Sequence, residues 1–559
     1  MKSKLLVSLL LLCGSITCFA QGYKDGIEYY KVGKYENAKE LLERNLNNAE
    51  TNKSEVYYYL GCIALQDGDK ATALDYYNKG VADAGACALN YVGLGLIDLL
   101  NNNTKQAESN FSTAIDNSPK KDAKIQVAIA RAYYTADPVK YAKEITKYVQ
   151  KARKNNSKEP DTPIFEGDQA TAGNEIGTAQ GMYDEAISYD PTLTEPYVKY
   201  ASALFGVAPD QAIQRLRDLL ALNPTSALAQ RELAEKLYEN DQWTRAAEQY
   251  GEYIKNPNHF KQDEVRYVGL LFYGKKYEES YALAEQIYNS LPAGDKNQFY
   301  MKRMQLYNLV ALEGWETGEV TAKEFFAMDV PEGASYAVKD YTDYAEVLEH
   351  LGRAEEAIAQ REKAVEANPE KYELLKDLSD AYNSAQQYDN AAAAYQKFVD
   401  LSDNVKTNDY FVLSRRYTNA GVVDSIQETK QAKLAKALEY IEIVNERAAD
   451  DVKMKILINT QKARILQVAE VDKTEGKAVD TYTYVLELLD QDPENATNRH
   501  DDYILAYTYL ANYNFECSKA TDDKEAKAAY LEAMKGWYIK WLEIEPDNDA
   551  LRQYVETLN

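Results

Sequence analysis

The side chains that most often carry out catalysis or bind metal ions are scarce in this sequence. Only three histidines occur, at His259, His350 and His500, which is too few for a clustered histidine–cysteine metal site. The motifs H-E-x-x-H, G-x-S-x-G and G-x-G-x-x-G are missing, and so is a complete G-x-x-x-x-G-K-S/T motif. We therefore expect a protein that is not an enzyme, with no cofactor and no catalytic, cofactor-binding or metal-binding residues of these kinds.

Carboxylates, by contrast, are abundant. The chain has 89 aspartates and glutamates against 64 lysines and arginines, which gives a net charge of -25. Among so many carboxylates some pair lies close by chance, so such pairs do not indicate acid–base catalysis, and a calcium site built from carboxylates alone stays open. Binding of nucleic acid needs a basic face, and no basic cluster occurs here. We expect no nucleic-acid partner and a solvated acidic surface, with docking of basic partners as the alternative.

Residues 1–20 have the pattern of a signal peptide. Two lysines precede an apolar run at 5–12, and small residues at Cys18 and Ala20 favour cleavage before Gln21. The apolar run is too short to span a bilayer, and no later segment reaches that length without charges. We therefore expect an exported protein that does not span the membrane and is periplasmic or associated with the outer envelope of a Gram-negative bacterium.

Three of the five cysteines remain after removal of that segment: Cys62, Cys87 and Cys517. An odd number cannot all pair within one chain, and none forms a C-x-x-C motif. A disulfide between Cys62 and Cys87 stays open, because the sequence does not give their geometry. Lipidation of Cys18 also stays open, although Thr17 is a poor match to the small residue that precedes a lipidated cysteine.

A helical hairpin pattern occurs twice between Ala337 and Asp403, with a displacement of 34 residues. Apolar or small residues occupy six of the eight pattern positions in both copies. Small residues are needed where two antiparallel helices cross, and large ones fill the gaps beside the crossing. The two copies are Tyr341, Tyr344, Ala345, Leu348, Gly352, Ala357, Ala364 and Pro369, and then Leu375, Leu378, Ser379, Tyr382, Gln386, Ala391, Phe398 and Asp403.

This spacing resembles the tetratricopeptide repeat family. The same pattern recurs nearer the start of the chain, at Gly26 to Leu42, Tyr57 to Tyr77 and Tyr91 to Pro119. The resemblance implies an all-α fold, an α-solenoid in which about 13 to 14 helix-turn-helix units form a right-handed superhelix. Many unrelated partners bind this scaffold, so the resemblance predicts fold more closely than function.

Interruptions of the pattern divide the chain into segments. The stretch Lys158–Pro163 should break a helix, and the repeat register is lost again after Lys296. The terminal segment should cover the end of the core with a polar outer face. The predicted segments are an N-terminal block at 21–155, a central block at 156–293 with an irregular lead-in, a degenerate repeat or hinge at 294–336, a C-terminal block at 337–549 and a capping helix at 550–559.

The resemblance also implies a binding groove, because inward-facing positions of the first helices line the concave surface of such repeats. Mapped onto this chain, the groove is aromatic toward the first half and charged toward the second. An aromatic residue at helical spacing is more often part of the core, so packing is the alternative for each tyrosine. The candidate groove residues are Tyr30, Tyr58, Arg131, Tyr134, Arg231, Tyr238, Phe272, Tyr273 and Lys376, together with Glu346, Glu349, Asp380 and Asn383.

Two functions fit these observations. The first is an exported scaffold that binds a protein or peptide segment in the concave groove without catalysis. The lysine–asparagine pair with which related domains grip the acidic tails of chaperones is missing, which disfavours that class of partner. The alternative is a cell-envelope glycan-binding protein on the same scaffold, for which an aromatic platform would be needed. Trp243 fits the repeat core, which weakens this alternative, and Trp315 in the irregular stretch is the main candidate for such a platform.

Overall fold

The computed structural model of this chain describes residues 22–448, 451–492 and 494–558. Helices and short turns make up this part of the chain, which contains no β-strand, so the all-α prediction is confirmed. None of its helices is both long enough and apolar enough to cross a bilayer. The predicted signal peptide and its cleavage site lie outside the described residues and stay a prediction.

The helices form two compact units, divided between Leu312 and Glu313. In the first unit, consecutive helices pair as antiparallel hairpins, so the odd-numbered helices are the first helices of their hairpins. The helices of this unit are α1 (22–31), α2 (Tyr35–Asn45), α3 (Lys53–Gln66), α4 (Lys70–Ala82), α5 (Leu89–Leu100), α6 (Thr104–Asp116), α7 (Ala123–Ala136), α8 (Ala142–Asn155), α9 (Asp161–Ala172), α10 (Ile176–Tyr189), α11 (Thr194–Leu204), α12 (Pro209–Leu222), α13 (Ala227–Glu239), α14 (Trp243–Ile254), α15 (Lys261–Tyr273), α16 (Tyr277–Ser290) and α17 (Lys296–Ala311).

The second unit repeats the same arrangement with longer helices toward its end. The hairpins pack in chain order, each against the next. The helices are α18 (Trp315–Phe326), α19 (Val338–His350), α20 (Ala354–Ala367), α21 (Leu374–Ser384), α22 (Tyr388–Leu401), α23 (Thr407–Val423), α24 (Gln427–Arg447), α25 (Val452–Val468), α26 (Val479–Leu489), α27 (Asn495–Asn498), α28 (His500–Ala520), α29 (Lys524–Ile544) and α30 (Asp549–Thr557).

Small residues lie where the helices of a hairpin cross, as the pattern predicts. A Cβ added to Gly61 would lie 2.5 Å from an atom of the Tyr77 ring, and one added to Gly95 would lie 2.3 Å from an atom of the Phe111 ring. Such distances are far shorter than a van der Waals contact, so only glycine allows the rings to pack there. Ala357 has the same role in the second unit and is 1% exposed.

In many of the hairpins, one residue of the turn adopts the left-handed backbone conformation. Glycine occupies this position in some hairpins, such as Gly68 with φ of +81° and Gly352 with φ of +73°. In others the position holds a different residue, such as Asn102 with φ of 62° or Gln386 with φ of 60°. Gly352 and Gln386 occupy the same position of the two copies of the pattern, so the turn persists although its glycine does not.

The lead-in to the central block is more regular than predicted. Helix α9 begins at Asp161 and pairs with α10 as an ordinary hairpin. Pro160 precedes the helix, and Pro163 lies in its first turn, where a backbone N–H has no helical partner to lose. The prediction that Lys158–Pro163 breaks any helix was therefore wrong from Asp161 onward.

Two other predicted segments, 294–336 and the capping helix at 550–559, can be compared with the helices. The segment 294–336 contains α17 and α18, and the division between the two compact units lies within it. Its interpretation as a degenerate repeat or a hinge stays a prediction. Helix α30 occupies the place of the predicted capping helix and packs against α29.

Candidate functional site

In the first unit, helix α1 lies against the first helices of hairpins that come much later in the chain. The ring of Tyr29 meets that of Phe260 edge to face, with ring centroids 5.3 Å apart. The amide of Asn258 donates to Asp25 at 2.7 Å. Thr194 and Ser226 donate from their hydroxyls to Glu28 at 3.0 and 3.3 Å. This part of the first-helix face of the first unit is therefore covered by the chain's own N-terminal helix.

Two lysines extend the same contact, Lys31 at the end of α1 and Lys34 just before α2. Lys31 Nζ lies 3.3 Å from the carboxylate of Glu195 on α11. Lys34 Nζ lies 2.7 Å from the carboxylate of Glu232 on α13. The two carboxylates are only 8% and 6% exposed, so these ion pairs are shielded from solvent and fix the position of α1 along the face.

Tyr30 and Tyr58 belong to the packing of the first hairpins. The ring of Tyr30 lies 5.1 Å from that of Tyr59, and the ring of Tyr58 lies 6.1 Å from that of Tyr77. Burial raises the pKa values of both Tyr30 and Tyr58 far above the ordinary tyrosine value. The packing alternative therefore describes these two candidates better than an open groove does.

Arg131 takes part in an ion-pair network between first helices. It donates to Asp168 of α9 at 2.7 Å, and Lys199 of α11 reaches both Asp168 at 2.7 Å and Glu195 at 3.0 Å. Burial opposes ionisation of Glu195, but the cations Lys199, Lys31 and Arg131 outweigh it and hold the pKa of Glu195 at about 2. Arg131 thus joins neighbouring hairpins.

The ring of Phe165 links two of the predicted groove residues. The guanidinium of Arg131 lies over this ring at 5.0 Å. Tyr134 meets the same ring edge to face, with centroids 5.7 Å apart. Tyr134, which lies on α7, therefore packs against α9, and only part of its side chain remains exposed.

Arg231 and Lys376 make the same contact in the two units, and the pattern did not reveal their partners. Arg231 donates to Asp263 at 2.8 Å. Lys376 donates to Asp409 at 2.7 Å. Each of these carboxylates lies near the start of the next first helix and also accepts a tyrosine hydroxyl from the preceding second helix, from Tyr253 at 2.8 Å in the first unit and from Tyr395 at 3.1 Å in the second.

Asp263 and Asp409 are 3% and 4% exposed, so they are structural links between repeats. A sequence signal exists for Asp409, because an acid at the third position of a helix can accept a hydrogen bond from the backbone before that helix. The backbone N–H of Lys406 does donate to Asp409, at 2.9 Å. The lysine and arginine positions could therefore have been assigned to repeat stacking as readily as to a groove.

Tyr238, Phe272 and Tyr273 lie together with Trp243, and we call these four side chains the aromatic surface. The rings of Tyr273 and Trp243 are 5.6 Å apart, and those of Tyr273 and Tyr238 are 6.2 Å apart. Trp243 is 40% exposed and Tyr273 is 49% exposed. The interpretation of Trp243 as repeat core was therefore wrong. It is the first residue of α14, directly after the turn that joins α13 to α14.

On the second unit, four carboxylates of α19 and α21 are exposed: Glu346, Glu349, Asp377 and Asp380. We call them the acidic face. Arg361 donates to both oxygens of Glu349 at 2.8 and 2.9 Å, and Arg416 pairs with Asp380. Asn383 accepts from Asn419 at 3.0 Å. Unlike the corresponding face of the first unit, this one retains exposed charge at its predicted groove positions.

The other residues that could take part in binding or chemistry are Trp315, the cysteines and possible metal ligands. Trp315 stacks on His350 with centroids 3.9 Å apart and planes 5° from parallel, so one face of its ring is covered. Cys62, Cys87 and Cys517 are free thiols, and burial raises the pKa of Cys87 to about 11. Across the described ranges, no three His, Cys, Asp or Glu side chains are grouped as metal ligands would be.

Several solved structures resemble parts of this chain at low sequence identity and low TM-score. The C-terminal part of a TPR repeat-containing protein from Cytophaga hutchinsonii is 17% identical, covers 52% of this chain and 98% of its own, and has a TM-score of 0.34. PilF of Pseudomonas aeruginosa is 19% identical, covers 38% of this chain and 96% of its own, and has a TM-score of 0.27. The human IFIT1 dimer with PPP-AAAA is 12% identical, covers 91% of this chain and 94% of its own, and has a TM-score of 0.29. Scores this low say nothing about a shared partner.

Sequence comparison gives a sharper result. A search of curated proteins finds no match. The family model described as tetratricopeptide repeat matches residues 23–86, 209–259 and 343–405. The last of these stretches covers all of the two pattern copies except Tyr341, and all three stretches consist mainly of helices and the turns between them. The chain therefore contains tetratricopeptide repeats in these three stretches.

Proposed function

We propose that this chain is an exported scaffold without catalytic activity that binds an extended, basic segment of a partner protein along the acidic face of the second unit. Tetratricopeptide repeats serve as protein-interaction scaffolds, and their first helices provide extended surfaces for binding. The observation that carries the proposal is the contrast between the two units. In the first, α1 covers part of the first-helix face, whereas in the second the carboxylates at predicted groove positions are exposed.

The chemistry of the acidic face sets the kind of partner. Its four carboxylates lie on two neighbouring first helices, and the two arginines nearby pair with one carboxylate each. A segment with lysines or arginines would complement the remaining negative charge. Export is supported by the pattern of residues 1–20, and the absence of catalysis by the scarcity of histidine and of catalytic motifs.

Charge reversal on the acidic face tests the proposal. The full chain is co-purified from its native envelope, and the bound proteins are compared between the wild type and a Glu346→Lys, Asp380→Lys variant. The proposal expects the variant to lose a basic partner that the wild type retains, and the retained amount to fall as salt is raised. The matched control is Glu355→Lys with Glu366→Lys, which makes the same charge change at exposed positions of α20. Equal loss of the partner in both variants would contradict the acidic face as its site.

The glycan-binding alternative is favoured by one observation, the exposure of Trp243 and Tyr273 on the aromatic surface. Adjacent exposed aromatic rings offer flat apolar area to a sugar ring. A glycan array probed with the purified chain and with a Trp243→Ala, Tyr273→Ala variant separates the two functions. Retention of a glycan by the wild type alone, with no protein partner recovered from the envelope, would replace the scaffold proposal.

A further inference from the structure

Helix α8 and its flanking turns concentrate positive charge in an otherwise acidic chain. Residues 138–158 contain six lysines and Arg153 against one acid, Glu144, whereas the whole chain has a net charge of -25. The expectation that no basic cluster occurs therefore fails in this segment. All six lysines are exposed, and we call them the lysine row: Lys140, Lys143, Lys147, Lys151, Lys154 and Lys158.

The four lysines within α8 lie on one side of the helix. Lys143, Lys147 and Lys151 are four residues apart, and Lys154 follows three residues later. Residues at these spacings are neighbours on a helix surface, so the side chains form one line along the axis. The opposite side of α8 holds its buried residues and packs mainly against α7. The lysine row therefore faces solvent along the whole helix.

No carboxylate of the described residues forms an ion pair with the lysine row. Lys140 donates to the amide oxygen of Asn102 at 3.2 Å. Lys147 and Lys151 lie over the ring of Tyr148, 5.4 and 4.9 Å from its centroid. These contacts orient the side chains but leave their charge unneutralised. Like charges four residues apart on a helix repel, so negative charge from outside the chain would relieve the row.

The other charges of this region are used elsewhere or stand apart. Arg153 pairs with one carboxylate on α9 and one on α10. Burial, and then the nearby charges of Glu108 on α6 and Glu144 on α8, raise the pKa of Tyr148. Neither of these two glutamates forms an ion pair with the lysine row. The row is thus a net positive surface, even with its neighbours included.

An apolar side chain lies at one end of the row. Val139 is in the turn between α7 and α8, directly before Lys140. It is 86% exposed, the highest value among the large apolar side chains of the described residues. Lysines beside an exposed apolar group match the chemistry of a membrane surface, where cations meet lipid phosphates and the apolar group enters the interface.

The kind of cation favours a lipid surface over an acidic protein. Protein sites for carboxylates favour arginine, whose planar fork binds both oxygens, and the one arginine of this segment is already paired. Lysine is a compact, hydrated point charge on a flexible stem, which suits mobile headgroups. The shallow depression along the row, about 390 Å³, is lined by residues of α8 alone. No second element shapes it for one particular side chain.

We propose that the lysine row and Val139 dock the first unit on a membrane surface that contains anionic phospholipid. The acidic remainder of the chain does not prevent this docking, because at physiological salt charges more than about 8 Å from the lipid phosphates are largely screened. The surface belongs to the first unit and makes no use of the acidic face of the second. Either proposal can fail without the other.

Sedimentation with vesicles tests the docking. The protein is the chain from residue 21 onward, because the apolar run at 5–12 would itself bind lipid and the described residues begin at 22. Its partition is compared between vesicles in which about a third of the lipid is phosphatidylglycerol and vesicles of phosphatidylcholine alone. We expect binding at least about tenfold stronger to the anionic vesicles, and weaker as salt is raised. Equal binding to the two kinds of vesicle would overturn the proposal.

Charge reversal locates the site. The test variant carries Lys143→Glu, Lys147→Glu and Lys151→Glu, and its partition onto anionic vesicles should fall at least about a hundredfold. The control makes the same change of net charge at exposed lysines of α2, α4 and α15, namely Lys39→Glu, Lys70→Glu and Lys261→Glu. It should lose about threefold or less. Equal losses in both variants would contradict the lysine row as the docking surface.

Neutral variants keep the test decisive if charge reversal perturbs α8 in circular dichroism. Glutamine at the same three positions removes charge without adding any, and should cost about fivefold in partition for each lysine replaced. Val139→Asn should cost about threefold and leave the dependence on salt unchanged, because it alters no charge. Retention of wild-type binding by the glutamine variant would refute the proposal.

A soluble acidic polymer separates a lipid surface from a protein partner. Poly-glutamate is added to the wild type and to the glutamine variant at the same salt concentration. We expect the wild type to prefer anionic vesicles over poly-glutamate. Binding of poly-glutamate by the wild type alone, with no preference for anionic vesicles, would replace the membrane by an acidic protein segment.

Discussion

The ring of Tyr29, near the start of the chain, packs edge to face on the ring of Phe260, and both side chains are fully buried. The contact joins the first hairpin to the segment before α15. A tetratricopeptide unit is expected to contact mainly its sequence neighbours, so this pair departs from a simple stack. It also shows that part of the first-helix face of the first unit is a packed interior.

Removal of the Phe260 ring should destabilise the first unit severely. Truncation of a fully buried phenylalanine to alanine typically costs about 3 to 5 kcal/mol, because apolar contacts are lost and a cavity remains. We expect Phe260→Ala to lower the free energy of unfolding by that amount in urea titrations. Tyr273→Ala is the control, since this ring is 49% exposed; a loss in the control as large as that of Phe260→Ala would contradict the assignment.

Loss of the Asp263 carboxylate should lower the free energy of unfolding far more than loss of an exposed carboxylate. Replacement of Asp263 by alanine leaves Arg231 and the hydroxyl of Tyr253 without their carboxylate partner in a buried place, which typically costs about 3 kcal/mol or more. Asp184→Ala breaks the more exposed pair with Arg215 and should cost less than about 1 kcal/mol. Urea titrations of both variants check the difference, and similar losses would show that Asp263 does not link the repeats.

The ion pairs of Glu195 should make the first unit sensitive to acid. With a folded pKa of about 2 against an ordinary 4.5, this carboxylate contributes stability above pH 4.5 that is lost as the pH falls toward 2, at most about 3 kcal/mol. We expect Glu195→Gln to destabilise the chain at pH 6 and progressively less as the pH is lowered below 4. Unfolding measured across this range gives the answer, and a pH-independent difference would exclude the ion-pair explanation.

Ala357 tests the repeat register directly. It is 1% exposed where α19 and α20 cross, so Ala357→Arg must displace packed side chains or bury a charge, and we expect a loss of several kcal/mol. Ala354→Arg lies at the exposed start of the same helix and should change the thermal midpoint little. An unchanged midpoint in Ala357→Arg would show that the helices do not cross there.

The three thiols should be free and slow to react. Burial raises the pKa of Cys62 and brings that of Cys87 to about 11, so little thiolate forms at pH 8. We expect alkylation of the native chain to be much slower than in denaturant, where three thiols should be counted in the chain lacking residues 1–20. A count of one in denaturant without reductant would instead indicate a Cys62–Cys87 disulfide.

The repeat period was readable because hairpin crossings impose strict limits on size. Ala345 and Ala357 recur as Ser379 and Ala391, and all four are buried at crossings. The proline signals were less reliable, since Pro163 marks the first turn of α9 and not a break. A proline stops a helix only where its missing N–H would have been used, and the position within the helix decides that.

The predicted groove residues depended on the resemblance alone, and their roles diverged. Arg131, Arg231 and Lys376 bind carboxylates of the next hairpin, while Trp243, placed in the core, is exposed beside Tyr273. Repeat position gives the face of a helix on which a residue lies. It does not say whether that residue pairs with a carboxylate of another helix or stays available to a binding partner.

By itself, the sequence determined the helical hairpins, their period, their all-α class and the scarcity of catalytic groups, because these depend on the type and spacing of neighbouring residues. Only the tertiary structure decided that α1 covers the first-helix face of its own unit, since that contact joins Asp25 and Glu28 to Asn258, Thr194 and Ser226 across most of the unit. No local spacing encodes such a contact, which arises when many small angles between successive hairpins add together and bring distant helices side by side.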